Sequence, residues 1–168
     1  MTELSETSQV FNWVDPAQVL AQTAKLSGLE YMEGLRDGTI PAPPIAVLMQ
    51  FRAVGVELGK VVFECTPSHA HYNPIGMVHG GLVCTVLDTA TGCAAHSTLP
   101  AGVGYTSVEI KVNYLRPVLA DTGALIATGQ VIKGGNRVIF AEGNVTTSAG
   151  DLVATASSTL LVVHPKTA

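Results

Sequence analysis

Asp88 is the only acidic or basic side chain between Gly80 and Ala95, in a run otherwise dominated by small and apolar residues such as Leu82, Val83, Val86, Leu87, Ala90 and Ala94. Burying an unpaired carboxylate costs several kcal/mol or forces it to protonate. A chain therefore keeps one mainly where the group works or is well paired. One reading makes Asp88 a general base or nucleophile; the other makes it a structural carboxylate paired with a distant Lys or Arg. Just upstream lies Val78-His79-Gly80-Gly81. Glycines at a helix start expose N–H groups that the helix leaves unsatisfied, and the helix dipole favours negative charge there. Such an end can polarise a carbonyl and stabilise its oxyanion, or it can be an ordinary glycine turn.

Spacing sharpens the pair. Gly80 and Asp88 stand eight residues apart, about 12 Å along a helix. A carbonyl held by the Gly80 N–H is out of reach of Asp88 on the same helix. If both act on one group, they come from different subunits, with two copies of the helix antiparallel about a two-fold axis.

The elements that must position these residues follow from pattern. Asp15-Pro16 is a helix start, with Asp at the N-cap and Pro at the first helical position. Val19, Leu20, Leu26, Leu29 and Met32 then predict one amphipathic helix ending near Gly34. Gly38–Pro44 reads as a Pro-rich linker, and from Ile45 the pattern is mostly strand. Residues 50–58 and 60–66 are predicted strands, 67–77 a loop, and 80–96 the long helix. A helix apolar on nearly every side belongs inside. In residues 105–116, Ser107, Glu109, Lys111 and Asn113 are expected on one face and Val108, Ile110, Val112 and Tyr114 on the other. Residues 123–132 and 137–147 flank Lys133-Gly134-Gly135-Asn136, a hairpin signal because glycines accept positive φ. Residues 152–163 close the set. Six strands joined by hairpins, with one long helix after the second, predict an α+β antiparallel sheet wrapped around that helix.

Composition bounds the function. The 168 residues suit one hydrophobic core. Hydrophobic residues make up 47% and charged residues 13%, so some apolar surface is expected in a subunit interface. The net charge of −4, with nine Lys plus Arg and no basic stripe, argues against nucleic acid as a partner. Three cysteines without a Cys-x-x-Cys pair argue for a reducing compartment. The first residues, MTELSETSQVFNW, do not read as a secretory signal. No apolar run approaches the roughly 20 residues that span a bilayer, and a cytoplasmic protein without a membrane partner is expected.

The run Asn73-x5-His79-Gly80-Gly81-x6-Asp88, followed by Val112-Asn113-Tyr114-Leu115-Arg116-Pro117, resembles the PaaI-like branch of the hotdog-fold acyl-CoA thioesterases, in the 4-hydroxybenzoyl-CoA thioesterase superfamily. The similarity spans roughly residues 45–163, giving an N-terminal helical extension and linker at 1–43 and a hotdog domain at 44–168. The resemblance implies an α+β hotdog fold with an extra N-terminal helix. It also implies an acyl-CoA substrate, no cofactor, no metal, and a homodimer that pairs into a tetramer. Carried over residue by residue, Asp88 is the catalytic carboxylate, as base or as nucleophile. The Gly80 N–H polarises the carbonyl beside Gly81, and Asn73 orients the carbonyl or the attacking water. Ser107 supplies a water-positioning hydroxyl, with Thr106 as the alternative. His79 holds the turn by hydrogen bonds or does acid–base work.

Other residues carry weaker signals. Arg116, Lys133 and Arg137 could meet coenzyme A phosphates or simply solvate a surface. His69 and His71 lie two apart without a third ligand at metal spacing. Cys84 and Cys93 read as core thiols. Two further functions share the architecture. An acyl-thioester hydratase or dehydratase would pair an imidazole with a carboxylate, and a non-catalytic acyl-CoA-binding module could lose the carboxylate altogether.

Overall fold

The computed structural model describes residues 5–165. Residues 1–4, part of the segment read above for a signal, and residues 166–168, at the end of the predicted domain, lie outside it. Three helices lead, α1 (Pro16–Thr23), α2 (Gly28–Asp37) and α3 (Pro44–Leu48). Strands β1 (Phe51–Glu57) and β2 (Lys60–Cys65) precede the long helix α4 (Gly80–His96). Strands β3 (Gly104–Tyr114), β4 (Leu125–Lys133), β5 (Val138–Thr147) and β6 (Leu152–Val163) complete the chain. All pairings are antiparallel in the order β1-β2-β4-β5-β6-β3. This is the predicted α+β architecture, a six-stranded sheet around a central helix.

α4 presses Leu82, Val83, Val86, Leu87, Ala90, Ala94 and Ala95 onto the sheet, all buried. Each fully buried Leu or Val contributes on the order of 2 kcal/mol through lost apolar exposure. The fit is closest at one turn. Gly129 of β4 and Gly143 of β5 face each other across the ladder. A Cβ on Gly129 would stand 2.1 Å from the Ala90 carbonyl oxygen, and one on Gly143 would stand 3.1 Å from Leu87 and Thr91 side-chain carbons. Two glycines thus form a saddle beneath the turn that carries Asp88. The buried Thr91 hydroxyl donates to the Leu87 carbonyl at 2.9 Å, so the core turn leaves no orphaned polar atom there.

The single predicted N-terminal helix is two. Asp15 does cap the first, its carboxylate accepting from the Ala17 N–H at 2.9 Å. The helix stops at Thr23, and Ser27 starts another through a capping box with Glu30. That local pairing satisfies helix-end donors that a continuous helix would not expose. α2 then locks onto α4: the Gly28 N–H donates to the Leu99 carbonyl at 2.9 Å, and a Cβ on Gly28 would overlap the His96 carbonyl oxygen at 1.7 Å. The segment from Pro44, read as the approach to a strand, is a short helix instead, begun by Pro at its first position.

Two strand expectations also change. Neither Gly134 nor Gly135 adopts positive φ. Gly135 is instead required by close approach, because its Cβ would meet the Val138 carbonyl oxygen at 2.6 Å. In β3 the alternation breaks at Val108: Ser107 pairs with Leu160, yet Glu109 pairs with Thr159. This bulge moves Ser107 onto the inner face with Ile110, Val112 and Tyr114. The buried Ser158 hydroxyl supports the bulge by donating to the Glu109 carbonyl at 3.0 Å.

Gly129→Ala is expected to lower stability by about 1–3 kcal/mol through overpacking against Ala90. Gly134→Ala, with open space around its Cβ position, serves as control in the same urea titration. Equal midpoints for the two variants would disprove the saddle.

Candidate active site

α4 buries one face on the sheet and leaves the other, with Cys84, Thr85, Asp88 and Thr89, half-exposed. The helix is therefore not buried all round, and Asp88 is half-buried rather than engulfed. The Ser107 hydroxyl donates to Asp88 Oδ1 at 2.8 Å. Thr106, the alternative, is exposed and pairs with the exposed Leu161 on the outer face. The bulge decides between them, since an unbroken alternation from Ile110 would turn Ser107 outward and bring Thr106 inward. Cys84, Thr85, Asp88, Ser107 and Ile110 line a hollow of about 390 Å3 at this contact.

The start of α4 is built around His79. Its Nδ1 accepts from the Gly81 N–H at 2.8 Å, and the His79 backbone N–H donates to the His71 carbonyl at 2.8 Å. One imidazole nitrogen is thus committed to capping, which suits the turn-holding role over acid–base work. The Gly81 N–H is engaged, whereas no acceptor among the described residues meets the Gly80 N–H. That leaves Gly80 as the donor at the dipole's positive end. Tyr114, which the sequence offered only as a strand residue, caps this end from β3. Its hydroxyl donates to the Gly80 carbonyl at 3.0 Å, and a Cβ on Gly80 would stand 3.2 Å from its ring.

Asn73 organises the preceding loop. Its Oδ1 accepts from the Ile75 and Met77 N–H groups, each at 3.1 Å. Only its Nδ2 donors are left for a ligand. A broad cleft of about 1000 Å3 opens here, lined by His79, Gly81 and Thr85 of α4 and by Ser68–Tyr72. Thr85 borders both this cleft and the Asp88 hollow.

The remaining candidates lie elsewhere or are engaged. Arg116 pairs with Asp151 at 3.2 Å, both exposed. Lys133 and Arg137 stand exposed at the β4–β5 hairpin. His71 Nδ1 accepts from the Ser68 N–H at 3.0 Å, and His69 stacks on Tyr72. Burial pushes the Cys65 and Cys93 thiols up to about 12 and raises Cys84 as well. No helix among the described residues is long and apolar enough to cross a membrane.

Known proteins resemble this chain in sequence and in fold. The thioesterase superfamily profile matches residues 75–154, which contain Gly80, Asp88 and Ser107. Human acyl-coenzyme A thioesterase 13 is 32% identical over 109 residues, 64% of this chain and 76% of that protein. A candidate esterase of Halobacterium salinarum is 42% identical over 76 residues, so the match covers 44% of this chain and about half (48%) of that protein's length. The crystal structure of a thioesterase family protein from Silicibacter pomeroyi superposes with TM-score 0.71 at 28% identity, over 80% of this chain and 99% of that one.

Thiols held this far above neutrality stay protonated and unreactive. Iodoacetamide at pH 8 is expected to leave the buried Cys65 unlabelled in the native protein and to label it in urea, read by mass spectrometry. Rapid native labelling of Cys65 would contradict its burial.

Proposed function

Because the chain belongs to the hotdog-fold thioesterase superfamily, we propose that it hydrolyses acyl-CoA thioesters, with Asp88 as the catalytic carboxylate. The observation that carries this reading is the Ser107–Asp88 hydrogen bond of 2.8 Å on an open face of α4. A serine hydroxyl at that distance fixes one carboxylate oxygen and leaves the other free to act. The name of the human relative supplies the substrate class.

A thioester carbonyl is electrophilic and its thiolate departs readily, so the protein's task is positioning and charge stabilisation. The Gly80 N–H stabilises the oxyanion as the tetrahedral intermediate forms. Asp88 either takes a proton from the attacking water or attacks the carbonyl carbon itself, giving a mixed anhydride that water then cleaves. Either route ends in free acid and CoA. Asn73 Nδ2 orients the carbonyl or the water, and Ser107 holds the carboxylate.

The site is completed across a dimer. Gly80 and Asp88 lie on one helix, eight residues apart, which is about 12 Å. A second subunit with its helix antiparallel brings its Gly80 to this Asp88. β3 supports such an assembly. It is an edge strand paired only with β6, it exposes Val108 and Tyr114, and no Pro interrupts its eleven residues. An open edge of that length is a template for pairing with another chain. Pairing of dimers into a tetramer would cover further apolar surface, and three cysteines without a Cys-x-x-Cys pair suit the reducing cytoplasm.

Asp88→Asn is expected to reduce kcat by at least about 10²-fold with the melting temperature unchanged. Ser107→Ala should cost less, roughly tenfold, about the worth of one hydrogen bond to a charged group. Near wild-type hydrolysis by Asp88→Asn would end the assignment.

Gly80→Pro removes the N–H at a position where Pro is tolerated. His79, at φ −63° and ψ 133°, already has the conformation that precedes a proline. Gly80→Ala, which keeps the N–H, controls for crowding against Tyr114. Mixing inactive Gly80→Pro and Asp88→Asn subunits should restore about a quarter of wild-type activity, because half of the dimers are mixed and each holds one intact site. No recovery would mean that the site is not shared.

A further inference from the structure

The helical extension ahead of β1 encloses a second space on α4. A cavity of about 670 Å3 begins at Thr89, one residue past Asp88, and runs to Cys93 and His96. Its roof is Val19 and Leu26 of the first two N-terminal segments with Met32 and Leu35 of α2; its wall is Val103 and Tyr105 of β3. No Asp, Glu, Lys or Arg is among its lining residues. Tyr105 and Ser107 share the inner face of β3, so neighbouring side chains of one strand line this cavity and hold Asp88. Three spaces therefore follow one another along the free face of α4: the cleft at His79–Thr85, the hollow at Asp88, and the cavity from Thr89 to His96.

The cavity is polar nowhere that would suit a nucleotide. Burial lowers the His96 pKa, so its imidazole stays neutral, and burial raises the Tyr105 phenol well above its ordinary range, with Cys93 and the Asp88 charge acting in the same direction. The two rings lie 5.7 Å apart, centroid to centroid, at an interplanar angle of 45°, and the buried His96 Nδ1 has no hydrogen-bond partner among the described residues. A mainly apolar lining without charge suits an apolar occupant, and Thr89 at its near end places that occupant next to a carbonyl held at Asp88.

We infer that the extension completes an acyl-chain subsite, and that it selects a medium-length aliphatic acyl group of about 8–12 carbons. The length follows from the helix: Asp88 to His96 is eight residues, about 12 Å. An extended polymethylene chain advances by about 1.2 Å per bond, like extended backbone, which gives about ten carbons. The α2 part of the roof is fixed rather than loose, since Gly28 is locked between the Leu99 and His96 carbonyls. This inference rests on the thioesterase reading above, and its test separates the two.

The test is kcat/KM for the full chain on saturated acyl-CoAs from two to sixteen carbons, followed as thiol release. The wild-type profile should peak between 8 and 12 carbons. Val19→Trp fills the roof and should lower the ratio of kcat/KM for decanoyl-CoA to that for butanoyl-CoA at least tenfold; Leu35→Phe should shift the ratio the same way from a different helix. A peak at two to four carbons, a profile flat to sixteen, or unchanged ratios in both variants would overturn the subsite and leave thioester hydrolysis standing. Hydrolysis of no acyl-CoA at any length would overturn the functional reading, and with it this one.

Discussion

The contact between the middle turn of α4 and the glycine pair beneath it governs everything else in the domain. Helix and strand backbones approach here almost without intervening side chains. That closeness fixes the height and the rotation of the helix. With Leu87, Ala90 and Thr91 directed into the sheet, Asp88 has one remaining direction, outward and toward β3. A carboxylate set by backbone packing does not depend on its own rotamer preferences to find its partner. The proposed site is then preorganised in the sense that would matter for catalysis, where donors and charges are in place before the substrate arrives.

The second requirement is met from the strand side, by an irregularity. β3 brings Ser107 to the carboxylate only because an extra residue breaks its alternation. The bulge sits at an edge, where an unpaired residue costs few ladder bonds, and a buried serine of β6 satisfies the exposed carbonyl. Helix start and strand end are also tied together through Tyr114. The proposed donor, the carboxylate and its supporting hydroxyl thus hang on two elements, α4 and β3.

Much of this was legible in the residues. The bounds of α4 coincide with the predicted 80–96, because glycines open it and no Pro or polar cluster interrupts it. The six strands fall within a few residues of prediction, since turn formers punctuate them. The Asp88 and His79 positions follow from local sequence. What escaped was set by tertiary packing. Val108 has the same β-forming chemistry whether it is bulged or not, so nothing at that position announces the shift of Ser107. The break at residues 24–27 could have been read from Ser27-x-x-Glu30, but apolar spacing ran straight through it. At the β4–β5 turn glycine is needed for space and only at Gly135; neither Gly134 nor Gly135 is there for its φ. Tyr114 could not be seen as a cap because its partner is a carbonyl 34 residues away in sequence.

The lock at Gly28 has a kinetic side. A helix joined to α4 with no room for a methyl group cannot lift as a flap without unpacking the end of the central helix. Whatever occupies the space beneath α2 is not uncovered by that helix and would leave by sliding along the groove. Escape by that route slows with every added carbon, because more apolar contact must be broken before the molecule is free. A charged head group generated beside Asp88 would push the other way, through repulsion between like charges. The balance between that push and the grip on the tail would then set how quickly the chamber empties for the next molecule.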